Sequence, residues 1–349
     1  MGESRLRTLS TRFTAAYGIT HPIAAAGMAF VTLTPTLPVA VSRAGALGAF
    51  AAGILPLPEI RNQLRSIRAQ VQAPLHLNLI TPFATEAHID LCVGEGVNIV
   101  SFHWGHPPAG WRSRLRSGGI RIWEQVGSEE EARRAVDEGA DLLIAQGMEA
   151  GGHCRSRLPT FVCTPAIVDA AQGTLVLAAG GIVDGRGLAA ALALGADGAW
   201  IGTRFVASTE ADVAPEYKAA LVRAGAGDTV LTSRYGRDRP TFNPMRVLRN
   251  RLVAEDGGGA VEDAAPEDGS VIGHTVIAGQ AIPLKRFASL VPVTGTTGDF
   301  GQMALPAGQG VGAVRDIPPA RKIIERMVEE AAEILQRLSE FPGQVNHAA

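Results

Sequence analysis

The chain has 349 residues, enough to bury a sizeable core as one large α/β domain or as two ordinary ones. Its formal net charge of −2 supplies no basic field for nucleic acid or for an anionic membrane. Three cysteines, Cys92, Cys154 and Cys163, show no CxxC spacing; they make no disulfide framework and point to a reducing, cytoplasmic setting. Residues 1–13 have no apolar core and read as neither a signal peptide nor an anchor. The longest uncharged run, 23–42, carries Pro35 and Pro38, which argues for strand, loop and helix rather than a membrane span.

Eight short strand candidates follow one another, most with a helical pattern before the next. The first, 22–26, leads to Gly27-Met28 and a helix near 37–42. The second, 47–51, closes on Gly53, and its helix, 58–72, places Ile60, Leu64, Ile67 and Val71 on one face. The third, 75–79, contains Asn78 and precedes a helix over 85–95 with Thr85 as N-cap. The fourth, 98–102, runs into His103-Trp104-Gly105-His106. The fifth, 120–126, carries Gln125 and leads to Ser128 and Glu131, a capping-box spacing. The sixth, 142–145, breaks into a loop at Gln146. The seventh, 175–178, meets Ala179-Gly180-Gly181 before a helix over 186–194, and the eighth, 198–201, meets Gly202-Thr203. Alternating strands and helices imply parallel crossovers. Eight such units predict a (β/α)8 TIM barrel with one catalytic face built from the loops after the strands. An open doubly wound sheet is the competitor, but no GxGxxG follows the first strand.

The pattern changes after residue 215. Residues 1–215 are expected to form the barrel, 216–304 a lid or substrate-side insertion, and 305–349 a segment whose helix, 318–338, packs back on the barrel. Residues 255–269 hold six carboxylates and no Lys or Arg, and read as a surface loop. The arginines at 237, 239, 246, 249 and 251 are expected on a solvated or subunit-contact surface.

Two stretches carry chemistry. In Ile-Ala-Gln-Gly-Met-Glu-Ala-Gly-Gly-His, residues 144–153, glycines at 147, 151 and 152 let the backbone approach a ligand, and His153 brings an imidazole able to act as acid or base near neutrality. The glycine turns at Gly180-Gly181 and Gly202-Thr203, ending strands seven and eight, suit a phosphate site of bare main-chain N–H groups, with Arg204 adding charge. His103 and His106 lack a third ligand for a metal, so no metal site is expected and both are placed on a loop lining the pocket. Glu149 is read as orienting its loop, His76 as packed or hydrogen-bonded, and Cys154 as incidental.

These runs, with Ala40-Val41-Ser42-Arg43-Ala44-Gly45-Ala46-Leu47-Gly48 and Ala307-Gly308-Gln309, resemble the nitronate monooxygenase family of FMN-dependent barrel enzymes through about residues 20–250. The resemblance implies FMN across the barrel mouth. Its phosphate would lie at Ala179, Gly180, Gly181, Gly202 and Thr203, and its ring at Ala26, Gly27 and Met28. Asn78, Gln125 and Gln146 would be side-chain partners, with Gly151 and Gly152 beside them and His153 as the catalytic histidine. It also implies oxidation of an alkyl nitronate by O2 to a carbonyl compound and nitrite, with a homo-oligomer left open. Two features depart from the pattern: Cys154-Arg155-Ser156 follows His153 where many relatives have a nearby glycine, and Gln125 stands where some carry lysine. An NAD(P)H-dependent FMN reductase of quinones or enoyl thioesters would use the same site. A non-redox phosphate-binding barrel and a catalytically silent flavin-binding protein are the remaining readings.

Overall fold

The computed structural model describes residues 8–237, 239–254 and 269–340. In chain order the first half runs α1 (Arg12–Tyr17), β1 (Ile23–Ala25), α2 (Thr36–Arg43), β2 (Phe50–Ala51), α3 (Leu57–Arg68), β3 (His76–Ile80), α4 (Glu86–Gly94), β4 (Ile99–His103), α5 (Ala109–Ser117), β5 (Arg121–Val126) and α6 (Glu129–Asp137). There follow β6 (Leu142–Gln146), β7 (Gly152–His153), α7 (Thr160–Ala170), β8 (Leu175–Ala179), α8 (Gly185–Ala193), β9 (Gly198–Ile201), α9 (Thr203–Val206) and α10 (Pro215–Arg223). The last part is β10 (Thr229–Thr232), β11 (Met245–Leu248), α11 (Arg251–Ala254), β12 (Val271–Ile277), β13 (Gln280–Lys285), β14 (Thr297–Gly298) and α12 (Ala320–Ser339).

Eight parallel strands form one sheet in the order β1-β9-β8-β6-β5-β4-β3-β2. Leu47, just before β2, closes the ring: its N–H donates to Ile23 O at 2.9 Å and its carbonyl accepts from Ala25 N–H at 2.8 Å. The predicted eight-unit barrel is therefore the observed one. Its interior is filled by Ala24, Leu47, Ile99, Trp123, Leu142, Ile144, Leu177 and Trp200. The six-residue α1, too short to declare itself by periodicity, plugs the amino-terminal end with Phe13 and Tyr17; Trp123 Nε1 donates to the Tyr17 hydroxyl at 2.6 Å. That leaves the carboxyl-terminal end free for a site.

The predicted helices appear with ends shifted by a few residues; besides the short α1, α9 and α11, two full crossover helices, α5 and α7, have no counterpart in the sequence pattern. The first turn of α5 contains Gly110 and α7 contains Pro165, both of which blur a helical reading. Ser128 caps α6 by accepting from Glu131 N–H at 3.2 Å, but the Glu131 carboxylate takes the Gly127 N–H instead of closing the box on Ser128. α12 buries Ile323, Ile324, Met327, Val328 and Ala331 against the barrel, while Leu338, expected on the same stripe, is half exposed. The packing against α8 depends on Gly185, where a Cβ would sit 2.6 Å from Met327 O.

Beyond the barrel, β10, β11 and β7 form an antiparallel sheet, and β13, β12 and β14 another. The acidic segment expected at 255–269 lies, Gly269 apart, outside the described residues. Among the described residues no helix is long and apolar enough to cross a membrane.

Candidate active site

The loops after the barrel strands enclose a cavity of about 1380 Å³, its open mouth included. Ala26, Gly27, Met28, Gln125, Gln146, Gly151, Gly152, His153, Ala179, Gly180, Gly181, Gly202 and Thr203 all line it. Among the described residues lining it there is no Asp, Glu, Lys or Arg.

One end is almost bare backbone. Gly180 and Gly181 have φ of +116° and +71°, a region in which L side chains are strained, so these turns need glycine. Gly202 precedes α9, whose first N–H groups have no partners within the helix. A strap from the carboxyl-terminal segment, 307–310, is laced across this end: Gly308 N–H donates to Thr203 Oγ1 at 3.0 Å and Gln309 N–H to Glu149 O at 2.9 Å. A Cβ on Gly310 would stand 2.3 Å from Gly181 O. Open glycine backbone at one end and a wide apolar cavity beyond suit a flat ligand carrying a phosphate, as a flavin mononucleotide does.

The other end is aromatic. β7 is held by β11, with Met245 opposite His153 and Arg246 opposite Gly152, and Gln146 Nε2 donates to His153 O at 3.2 Å. The Cys154-Arg155-Ser156 run that departs from the family pattern is held as well: Cys154 N–H donates to Pro244 O, Arg155 pairs with Glu131 at 2.7 Å, and Ser156 Oγ donates to Gly127 O. The His153 ring stacks on Phe242, centroids 3.7 Å apart and 30° between planes, with Trp104 edge-on at 5.9 Å. Burial lowers the His153 pKa to about 4, a main-chain hydrogen bond to Phe242 opposing the shift. His103, also on the lining, is lowered to about 3, by burial first and then by His153 and Arg155. Both imidazoles are therefore neutral at pH 7.

Several expected site residues stand elsewhere. Asn78 lies beneath Gly27 instead of on the lining; a Cβ on Gly27 would meet its side chain at 2.0 Å, and its Nδ2 donates to Ser101 Oγ at 2.9 Å. His106 turns away from the cavity to Glu124, 2.7 Å away, because buried Arg112 draws that carboxylate inward. Arg204 does not face the glycine turns; its buried guanidinium bonds Asp316 Oδ1 at 2.8 Å. The arginine group is no uniform surface: Arg246 is buried and donates to Met148 O at 3.0 Å, Arg237 lies over Phe287 and Arg239 over Phe83. His76 is packed as expected, hydrogen-bonded to Ser101 Oγ at 2.8 Å between Trp123 and Trp200. Cys154 is buried, its thiol raised to about 11 by desolvation. Phe242, Tyr217, Gly308 and Gly310 line the cavity without having been singled out as site residues. Only the Ala-Gly-Gln-Gly run at 307–310 offered a sequence signal for the last two.

The nitronate monooxygenase family model matches residues 10–90 and 81–330. The chain is 32% identical to a Mycobacterium tuberculosis protein, (3aS,4S,5R,7aS)-5-hydroxy-7a-methyl-1-oxo-octahydro-1H-indene-4-carboxyl-CoA dehydrogenase, over 95% of this chain and 98% of that one. It is 31% identical to a nitronate monooxygenase of Pseudomonas aeruginosa, over 92% of this chain and 99% of that one. FabK from Thermotoga maritima has a similar structure, with a TM-score of 0.76 at 32% identity, covering 95% of this chain and 99% of that chain. Nitroalkane oxidase from Streptomyces ansochromogenes gives 0.74 at 27% identity, covering 93% and 99%. Since the match spans the barrel, the histidine loop and the segments that cover them, the chain belongs to the nitronate monooxygenase family and is a flavin-dependent oxidoreductase.

Proposed function

We propose that this protein oxidises small alkyl nitronates with FMN and O2, giving a carbonyl compound and nitrite. The observation that carries the reading is a neutral, buried His153 on the wall of a cavity with no charged side chain among its described lining residues. A nitronate is lost as substrate when its carbon is protonated. A neutral imidazole donates a hydrogen bond to nitronate oxygens but is a poor acid toward that carbon. With a pKa near 4 it is also a weak base, so the pre-ionised nitronate is the better substrate and the neutral nitroalkane the slower one. Ile54, Ile80, Phe83 and Phe242 offer apolar wall to an alkyl chain. A carboxylate beside the nitronate, as in propionate-3-nitronate, would enter without a counter-charge.

The backbone at Ala179, Gly180, Gly181, Gly202 and Thr203 would hold the FMN phosphate, and Ala26, Gly27 and Met28 the ring, with Gln125 and Gln146 within reach. FMN supplies the electron-accepting chemistry when bound. Residues 216–304 serve as the substrate-side cover, contributing Phe242, Met245, Ser289 and Val291 to the lining. A second reading, a CoA-thioester oxidoreductase, is favoured by the name of the M. tuberculosis relative and by a groove beyond Trp104 that carries Arg155 and Arg157. Anaerobic titration separates the two. Bleaching of the bound flavin by an alkyl nitronate and not by NADH or NADPH supports the first. Bleaching by a reduced nicotinamide, with reoxidation by an enoyl thioester, replaces it with the second.

A further inference from the structure

Phe242 stands at the centre of the aromatic end of the cavity, although it comes from the segment that follows the barrel. Its ring lies 5.1 Å from Phe83, 4.9 Å from Trp104 and 6.1 Å from His103, so it meets the loops after β3 and β4 as well as the His153 loop. Two devices place it there. The β11–β7 ladder sets Met245 opposite His153, three residues from Phe242. Trp104 Nε1 donates to the carbonyl of Thr241 at 2.7 Å, pinning the preceding residue. Trp104 makes that bond with φ at +70°, a strained conformation for a bulky residue and one that clusters at functional positions.

We infer that Phe242 is a positioning residue: its ring, laid on the His153 imidazole, keeps water from one face of it and fixes its plane against the cavity. The inference rests on the proposed reading of His153 as the group that meets the substrate. Phe242 is 8% exposed, so it fills the space through which solvent would otherwise reach the imidazole. The charged and titratable groups around that imidazole do not replace it. His103 from β4 is itself neutral, and Arg155, beyond Trp104, is paired with Glu131. Arg246 from β11 is turned to Met148 O, toward Cys154 and Glu149. Arg239 lies over Phe83. Among the described residues no cation or carboxylate is set against the ring, and its low basicity follows from exclusion of water.

The test is made on the flavin-loaded protein with ring-labelled histidine, following the His153 resonance, assigned by its loss in His153→Asn. In the wild type the imidazole stays neutral down to about pH 5. In Phe242→Leu and Phe242→Ala its midpoint rises by at least about one unit, and Phe242→Tyr, which keeps the ring, restores the wild-type titration. In kinetics, kcat/KM for an alkyl nitronate gains an acid limb in the Leu variant, falling about tenfold per pH unit below the new midpoint, which Tyr removes. Leu and Ala variants that leave the His153 titration unmoved, or a Tyr variant that fails to restore it, overturn the inference. The resonance arm reads out whether or not the enzyme turns over a nitronate, so failure of the proposed activity is told apart from failure of this one.

Discussion

Glu149 and Thr160 are joined through one carboxylate oxygen: the Thr160 main-chain N–H and hydroxyl reach Glu149 Oε2 at 2.7 and 2.8 Å. The same hydroxyl lies 3.1 Å from Gly180 O. The pair thus ties the glycine loop after β6 to the first turn of α7, with the turn after β8 packed beside the shared hydroxyl. Pro159, at the N-cap of α7, has no side chain able to cap, so Glu149 does it from a distance. This is the loop-orienting role read for Glu149 from the sequence.

Replacing Glu149 with alanine should therefore weaken two things at once. Loss of a helix-capping acceptor costs about 0.5–2 kcal/mol, visible as a lower Tm. Flavin affinity should fall with it, because the loop that carries Gly151 and Gly152 loses its anchor on α7, and Glu149→Gln, which keeps an oxygen acceptor, should fall between. A flavin affinity equal to wild type in Glu149→Ala would detach this pair from the cofactor end of the cavity.

Gly181 tests the phosphate end directly. At φ +71° any side chain is strained, and an aspartate there also brings a negative charge to the expected phosphate position. Gly181→Asp should fold, since the residue sits on a loop, yet be purified without colour. Gly310→Ala approaches from the opposite side: its Cβ would press on Gly181 O, pushing the strap away and loosening the flavin. Fully yellow protein from both variants would place the phosphate elsewhere.

The sequence made the barrel legible because the strands ran into glycines, amides or histidines and most were followed by a helical pattern. The cavity-facing residues are mostly those strand ends, as Gln146, Gly180 and Gly202 show. What was hidden arose from contacts distant in sequence. Phe242 reaches the site because β11 pairs with β7 and Trp104 holds Thr241 O, and nothing local to residue 242 announces either contact. Arg204 follows a phosphate-type turn and looked like an anion ligand until Asp316, more than a hundred residues on, captured it. Asn78 illustrates the inverse: its place on a strand end is right, but Gly27 passes over it.

His153 is the group on which the reaction reading turns. His153→Asn should retain flavin and fold, because Gly152 and His153 hold β11 through main-chain pairing. Turnover of a neutral nitroalkane should drop by roughly two orders of magnitude or more, with a smaller loss for the pre-ionised nitronate, from which no proton is removed. Steady-state kinetics with both forms at one pH decide it. Equal losses would indicate orientation of substrate alone, and undiminished rates would remove His153 from the chemistry.

The same buried imidazoles make stability depend on pH in a defined direction. His76 and His103 are lowered to about 3 and His153 to about 4, all mainly by burial, whereas in the unfolded chain they titrate near 6.5. The unfolded state thus binds more protons than the folded one between these values. The stabilisation is fully present above about pH 6.5 and is lost as pH falls toward the folded pKa values. Each histidine contributes a slope of up to about 1.4 kcal/mol per pH unit in that window. Urea unfolding at steps from pH 7.5 to about 5, above the range where Glu95, Glu138, Asp299 and Asp316, all lowered in the folded state, add their own acid loss, isolates the histidines. His76→Gln should keep a polar partner for Ser101 and reduce the slope by about one proton. A stability that stays level from pH 6.5 to 5 would mean that these rings take up protons without unfolding, and with it the neutral His153 of the proposed reaction would be lost.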